Sequence, residues 1–256
     1  MARYFIHLAY DGKKFNGWQI QDNTPFTIQQ VLEEHFSNLL REKIEIVGCG
    51  RTDTGVHAIN YYAHFDTLQP EFIDKPDKWL YKLNKVLPPE IAILRFLETK
   101  TDAHSRYDAL SRTYEYRIHQ KKNPFLKESS WYFPFQIDIH NMNEACSLLK
   151  NYTDFSCFSK SNTQVKTNRC EISFANWEKV NDQWIFTITA DRFLRNMVRA
   201  IVGTLLELGE NKISLEQFIY IVESKDRKKA GVSVPAHGLY LTQVKYPESL
   251  FINEKG

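Results

Sequence analysis

The order of strand-like and helical segments is the sequence feature that most constrains the fold. In the strand-like segments apolar residues alternate, in the helical segments they recur at helical spacing, and the two kinds follow one another in two similar series. The strand-like segments are 3–10, 44–47, 59–65, 91–97, 112–119, 171–177, 184–189 and 239–246. The helical segments are 27–40, 79–87, 142–150, 193–208 and a last one that starts at Ser214. We expect an α/β (α+β) fold of two related lobes, residues 1–104 and 105–256, with antiparallel or mixed sheets backed by helices.

The composition is that of an ordinary folded protein, with 43% hydrophobic and 25% charged residues. The net charge is only +2, so nucleic-acid binding would need locally clustered Lys and Arg. No apolar run is long enough to span a membrane, and we expect no membrane partner. The four cysteines lack Cys-x-x-Cys spacing, which favours reduced, buried thiols of a cytoplasmic protein. A zinc site of Cys49, His57 and His64 lacks the usual paired spacing.

The segment 50–57, GRTDTGVH, follows a strand-like run and places Arg51 and Asp53 between two glycines. Glycine lets a backbone approach a ligand closely, so the bracket is typical of a functional loop. The alternative is a polar turn in which Asp53 bonds the local backbone. Asp-Thr-Gly also occurs in aspartic proteases, but the preceding arginine would oppose the shared proton of such a dyad, and the chain has several helices.

As a unit, the eight residues resemble the active-site loop of the pseudouridine synthases, in particular the type that acts on tRNA. Further segments match that family in order along nearly the whole chain: YFIHLAYDG at 4–12, FNGWQ at 15–19, HSRY at 104–107, SRTYEY at 111–116, FLRNMVR at 193–199 and GLYL at 238–241. The resemblance implies a pseudouridine-synthase-like fold with a central RNA-binding cleft.

The resemblance also implies an isomerase that converts uridine to pseudouridine in the anticodon stem-loop of tRNA, at tRNA positions 38 to 40, as a homodimer. The partner is tRNA and not DNA. The reaction involves neither redox change nor phosphate transfer, so we expect no metal and no cofactor. The alternative is a catalytically silent RNA-binding relative, against which the joint presence of Asp53, Tyr114 and Arg199 argues.

By direct match, Asp53 is the catalytic carboxylate, acting as nucleophile or base. Attack on the sugar, attack on the base and abstraction of a sugar proton all remain open. Arg199 is the matched partner that keeps the carboxylate ionised. Arg199 shares one side of the predicted 193–208 helix with Arg192 and Arg195. From periodicity alone, a functional side and an ordinary solvent-exposed side are equally good interpretations.

Three further residues are implied as substrate contacts. Arg51 enters the RNA helix where the target base leaves, although an ion pair with Asp53 is the alternative. Tyr114 stacks on the uracil, although Tyr114 and Tyr116 lie on one strand face and either could be a core residue. Leu241 lines the uracil pocket. The candidates for phosphate contacts are Lys13, Lys14, Lys78, Lys82, Lys85, Arg106, Lys160, Lys166 and the run 225–229.

Overall fold

The eight alternating segments form eight strands and the periodic segments form five helices in the computed structural model, which describes residues 1–69, 72, 75–160 and 167–252. A ninth strand, Trp131–Tyr132, was not predicted. The strands are β1 (Ala2–Tyr10), β2 (Val47–Gly48), β3 (His57–Thr67), β4 (Ile91–Thr99), β5 (Ser111–His119), β6 (Trp131–Tyr132), β7 (Ile172–Val180), β8 (Gln183–Ala190) and β9 (Leu239–Lys245). The helices are α1 (Ile28–Leu40), α2 (Pro76–Val86), α3 (Ile139–Leu149), α4 (Met197–Gly209) and α5 (Leu215–Ser224).

The chain divides into two units, of which the first comprises Met1–Leu110 together with the segment from Leu241 onward. Its strands follow the order β4-β1-β3-β9, and β1 is antiparallel to both β3 and β4. Helix α1 buries four apolar side chains at a spacing of four residues, and these are Ile28, Leu32, Phe36 and Leu40. The division of the chain into lobes at residues 104 and 105 stays a prediction; the unit described here also includes the last strand.

The second unit is Ser111–Tyr240. Its strands follow the order β5-β8-β7 with antiparallel pairing, and the short β6 runs parallel to β5. The hairpin between β7 and β8 turns at Asn181, which takes a positive φ of 54°. Helix α3 packs against β7, and the three helices α3, α4 and α5 pack on one another. Sheets backed by helices in a mixed α/β arrangement confirm the predicted fold class.

Two helix starts show how local caps act. The Thr27 hydroxyl accepts the backbone N–H of Gln30 at 3.3 Å. Ser214 and Gln217 form a complete capping box, with Ser214 Oγ accepting from the Gln217 backbone at 3.3 Å and Gln217 Oε1 accepting from the Ser214 backbone at 2.7 Å. The predicted starts, Thr27 and Ser214, are the N-caps that directly precede Ile28 and Leu215, the first residues of α1 and α5.

The predicted helix 193–208 is wrong at its start. Asn196 adopts a left-handed backbone with φ 66°, so the helix α4 begins only at Met197. Arg192 and Arg195 therefore precede the helix and do not share its side with Arg199. The predicted strand at 44–47 is also shorter in the structure, where only Val47–Gly48 pairs with β3.

The four cysteines are free and buried, as their spacing predicted. Burial raises the pKa of Cys157 and of Cys170 to about 12, so both thiols are protonated at neutral pH. Among the residues that the structure describes, no helix combines the length and the apolar character needed to cross a bilayer. Lys166, a predicted phosphate contact, lies outside the described residues.

Candidate active site

Asp53 lies half-buried on the loop between β2 and β3. Its carbonyl oxygen accepts the backbone N–H of Val56 at 3.1 Å, which closes a turn through Gly55. Gly55 has φ +78°, a conformation that glycine adopts without steric cost. A Cβ on Gly50 would meet no atom within 4 Å, so of the two bracketing glycines only Gly55 is required by the backbone of the turn.

Three buried aromatic residues hold the loop on both sides of Arg51. The Tyr61 hydroxyl donates to the carbonyl oxygen of Gly50. The Tyr10 hydroxyl lies 2.8 Å from the Thr52 hydroxyl oxygen, and the two form a hydrogen bond. The backbone N–H of Trp18 donates to the carbonyl oxygen of Thr52 at 3.1 Å, and its indole stacks on Tyr61 with ring centroids 4.1 Å apart. The loop backbone is thereby fixed directly before Asp53.

Two glycines outside the motif let a neighbouring segment lie against the Asp53 loop. Gly17 has φ +84°, and a Cβ at this position would lie 2.5 Å from the carbonyl oxygen of Thr52. A Cβ on Gly12 would lie 1.9 Å from the carbonyl oxygen of Val56. Since real Cβ atoms do not approach an oxygen so closely, the segment 12–18 must carry glycine at both points to support the loop.

Arg51 is exposed, and its Nε donates to Gln19 Oε1 at 3.2 Å. Gln19 follows Gly17 in the segment that supports the loop. Its amide oxygen therefore binds the same guanidinium that an ion pair with Asp53 would use. Leu241 lies on β9 with only 1% of its surface exposed, in the same unit as Arg51 and Asp53.

Tyr114 and Tyr116 occupy different environments on β5. Tyr116 is fully buried, and its hydroxyl donates to the carbonyl oxygen of Pro235 at 2.8 Å. Burial raises the pKa of Tyr116, while the charge of Arg199 acts in the opposite direction. Tyr114 is half-buried and meets the ring of Phe193 edge-on, with ring centroids 5.1 Å apart. Tyr116 is therefore the core residue of the pair.

Arg199 is half-buried on α4, and the segment 230–235 lies against its side of the helix. Arg199 Nε donates to the carbonyl oxygen of Val234 at 2.7 Å, and the Val234 N–H donates back to the carbonyl oxygen of Arg199 at 3.2 Å. The Asn196 amide donates to the Ser233 hydroxyl. A Cβ on Gly203 would lie 1.9 Å from the carbonyl oxygen of Val232. This side of the helix is therefore packed against protein and is not a solvated stripe.

The structure places Arg51, Asp53 and Leu241 in the first unit and Tyr114 and Arg199 in the second. Sequence reasoning did not single out the residues that support the Asp53 loop, which are Tyr10, Gly12, Gly17, Trp18, Gln19 and Tyr61. The segment FNGWQ carried a usable signal, because Asn-Gly before an aromatic residue favours positive φ at the glycine. A carboxylate on a loop held in this way can act as a nucleophile or as a general base.

Comparison with known proteins identifies relatives over almost the full chain. A family model described as tRNA pseudouridine synthase matches residues 6–108 and 145–247. A tRNA pseudouridine synthase A of Parabacteroides distasonis is 51% identical over 98% of this chain and 98% of the relative. Proteins of the same name from Porphyromonas gingivalis and Bacteroides thetaiotaomicron are 49% and 48% identical, over 98% and 99% of this chain and 100% and 94% of the relatives.

Proposed function

Because the chain belongs to the tRNA pseudouridine synthase family and isomerises uridine to pseudouridine in tRNA, we propose that Asp53 is the carboxylate that starts the reaction. The isomerisation breaks the bond between N1 and C1′, turns the uracil, joins C5 to C1′ and removes the proton from C5. The observation that carries the proposal is the position of Asp53, half-buried and directly after a backbone that Trp18 and Tyr10 hold at Thr52. A preorganised carboxylate needs little rearrangement before it reacts.

Arg199 is proposed to keep the Asp53 carboxylate ionised beside an apolar base, and Tyr114 to stack on the uracil. A carboxylate beside a flat apolar ring tends to gain a proton, which would abolish its nucleophilicity, and a guanidinium favours the ionised form. Stacking on an aromatic ring contributes about 1–3 kcal/mol per base. Tyr114 is half-buried, whereas Tyr116 is fully buried and its hydroxyl donates to the carbonyl oxygen of Pro235. Leu241 is proposed to line the uracil pocket.

The substrate region is proposed to be the anticodon stem-loop, at tRNA positions 38 to 40. Bases in a stem are stacked, so extruding one leaves a gap and costs a few kcal/mol. The exposed Arg51 is proposed to enter that gap. The protein is proposed to act in the cytoplasm as a homodimer, because a 30.1 kDa protomer of net charge +2 offers a small basic surface for a tRNA.

Tritium release tests the role of Asp53. Purified protein is incubated with tRNA that carries tritium at C5 of uridine, and isomerisation releases the label whereas binding alone does not. We expect Asp53→Asn to bind tRNA and to release no tritium above background. The matched control is Asp22→Asn, an exposed aspartate of the same unit, which should release the label at the wild-type rate. Release by Asp53→Asn at the wild-type rate would remove Asp53 from its role.

Mapping and sedimentation test the remaining parts of the proposal. Pseudouridine mapping in tRNA from cells that lack the gene should show unmodified uridine at positions 38 to 40, and loss at other positions would assign a different region of the tRNA. Sedimentation at micromolar concentration should give twice the mass of one 30.1 kDa chain. A monomer with full activity would rule out a functional requirement for the dimer.

A further inference from the structure

A chain of side-chain hydrogen bonds links Arg51 to helix α1. Arg51 Nε donates to Gln19 Oε1 at 3.2 Å, and Gln19 Nε2 donates to Gln29 Oε1 at 2.8 Å. Gln29 Nε2 donates in turn to Glu33 Oε1 at 2.9 Å and to the carbonyl oxygen of Ile46 at 3.0 Å. An anion on the helix is thereby connected, through two amides, to the guanidinium on the loop.

The direction of every bond in this chain is determined by its end groups. An ionised carboxylate only accepts, so Gln29 must turn its NH2 group towards Glu33 and its oxygen towards Gln19. That oxygen also accepts the backbone N–H of Ile20 at 3.2 Å, which fixes it further. Gln19 must then present its NH2 group to Gln29 and its oxygen to Arg51. A guanidinium only donates, and Gln19 Oε1 is the atom it requires.

The far end of the chain is anchored in the backbone. Glu33 Oε1 also accepts the N–H of Ile46 at 2.8 Å, and the backbone N–H of Gln29 donates to the carbonyl oxygen of Trp18 at 3.0 Å. Gln19, Gln29 and Glu33 are all partly buried, which strengthens their hydrogen bonds relative to exposed ones. Arg51 is the only exposed member of these four residues.

We propose that Gln19, oriented by Gln29 and Glu33, is a positioning residue that holds the Arg51 side chain ready to enter tRNA. The inference rests on the proposed role of Arg51. Binding through Nε fixes the direction of the arginine, while the outer nitrogens carry four further N–H groups for RNA. A long side chain that is already ordered loses less conformational freedom when its substrate binds.

A double-mutant cycle measured by single-turnover tritium release tests the inference. Gln19→Met keeps an unbranched side chain of similar length and removes the acceptor for Arg51. We expect release to slow by roughly three- to tenfold, the factor that corresponds to ordering one long side chain. In the Arg51→Ala background, the same Gln19→Met change should slow release no further. A merely structural role would slow release by the same factor in both backgrounds.

Controls separate this inference from the proposed function. Gln21→Met alters an exposed glutamine two residues away, whose Nε2 donates to the carbonyl oxygen of Asn16 at 2.7 Å, and should leave release unchanged. If Gln19→Met fails to fold, Gln19→Ala is taken through the same cycle. Wild-type release by the Gln19 variant, with slow release by Arg51→Ala, overturns the inference alone. Wild-type release by Arg51→Ala overturns the role of Arg51 and the inference with it.

Discussion

The backbone N–H of Trp18 donates to the carbonyl oxygen of Thr52 at 3.1 Å, directly before Asp53. The bond exists because Gly17 has no side chain, since a Cβ there would lie 2.5 Å from that same oxygen. Residues 17 and 18 therefore determine where the backbone of the Asp53 loop lies, although neither is proposed to touch the uridine. The position of Asp53 depends on a glycine that precedes it by more than thirty residues in the sequence.

Gly17→Ala should lower both the stability and the activity of the enzyme. Alanine would need φ +84° and would clash with Thr52, which together cost about 1–3 kcal/mol of unfolding free energy. Urea unfolding and tritium release measure the two effects. Gly50→Ala is the matched control, because a Cβ there meets nothing within 4 Å, and it should keep wild-type stability. Equal stabilities for the two variants would contradict the packing described here.

Tyr10→Phe and Tyr61→Phe should each destabilise the loop while keeping the aromatic packing. Each change removes one hydroxyl that bonds the loop, at Thr52 or at Gly50, and costs about 1 kcal/mol. Single-turnover release should slow in both variants because the carboxylate is held less firmly. Tyr220→Phe removes the hydroxyl of an exposed tyrosine on α5 and should change the unfolding free energy by less than about 0.5 kcal/mol.

Gly203→Ala should destabilise the protein, although the same change in an ordinary helix interior stabilises it by about 0.5–1 kcal/mol. The reason is the carbonyl oxygen of Val232, which would lie 1.9 Å from the new Cβ. The displaced segment also carries the Val234 oxygen that accepts from Arg199, so activity should fall as well. A rise in the unfolding free energy would show that the segment 230–235 does not pack against α4.

His64 should make the fold less stable as the pH falls from about 6.5 towards 4. Burial, with the nearby Arg3 charge, lowers the pKa of His64 to about 4, and its Nδ1 lies 3.2 Å from the backbone N–H of Ser105, which donates to it. The unfolded chain takes up this proton below about pH 6.5, whereas the folded protein takes it up only near pH 4. The loss is at most about 3 kcal/mol.

Urea unfolding at pH 7 and at pH 4.5 measures this effect. The control His64→Asn keeps a polar group near the position of Nδ1 but does not titrate, so its stability should change less between the two pH values. Its stability at pH 7 is the reference for the cost of the substitution itself. If the unfolding free energy of His64→Asn changes between pH 7 and pH 4.5 by as much as that of the wild type, the pH dependence comes from other groups.

The sequence predicted the elements whose signals are local. Helices α1 and α5 begin where Thr27 and Ser214 can accept a nearby N–H, and such caps need no tertiary partner. The predicted start of α4 was wrong because the position of the first helical residue depends on a contact that is distant in the sequence. Asn196 adopts a left-handed backbone and its amide donates to the Ser233 hydroxyl, and the apolar periodicity of residues 193–208 indicates neither.

The candidate site was predictable to a similar extent. The motif around Asp53 indicated a loop, which the structure places between β2 and β3, but the sequence alone did not separate the half-buried Tyr114 from the buried Tyr116. The supports of the loop were not predicted, because Tyr10, Trp18 and Tyr61 come from separate elements that only the folded sheet brings together. The roles of Asp53, Arg51, Tyr114, Arg199 and Leu241 stay predictions.

The first unit contains both ends of the described chain, and this affects the order in which the protein can form on the ribosome. Thr242 on β9 accepts a hydrogen bond from Asn60 on β3 at 2.7 Å, and Tyr246 bonds the carbonyl oxygen of Ser105 at 2.5 Å. The second unit, Ser111–Tyr240, is one uninterrupted stretch of polypeptide. Strands β1, β3 and β4 of the unit that carries Asp53 are synthesised before the second unit, whereas β9 follows it, so a nascent chain that has not reached Leu241 lacks one strand of the first unit's sheet.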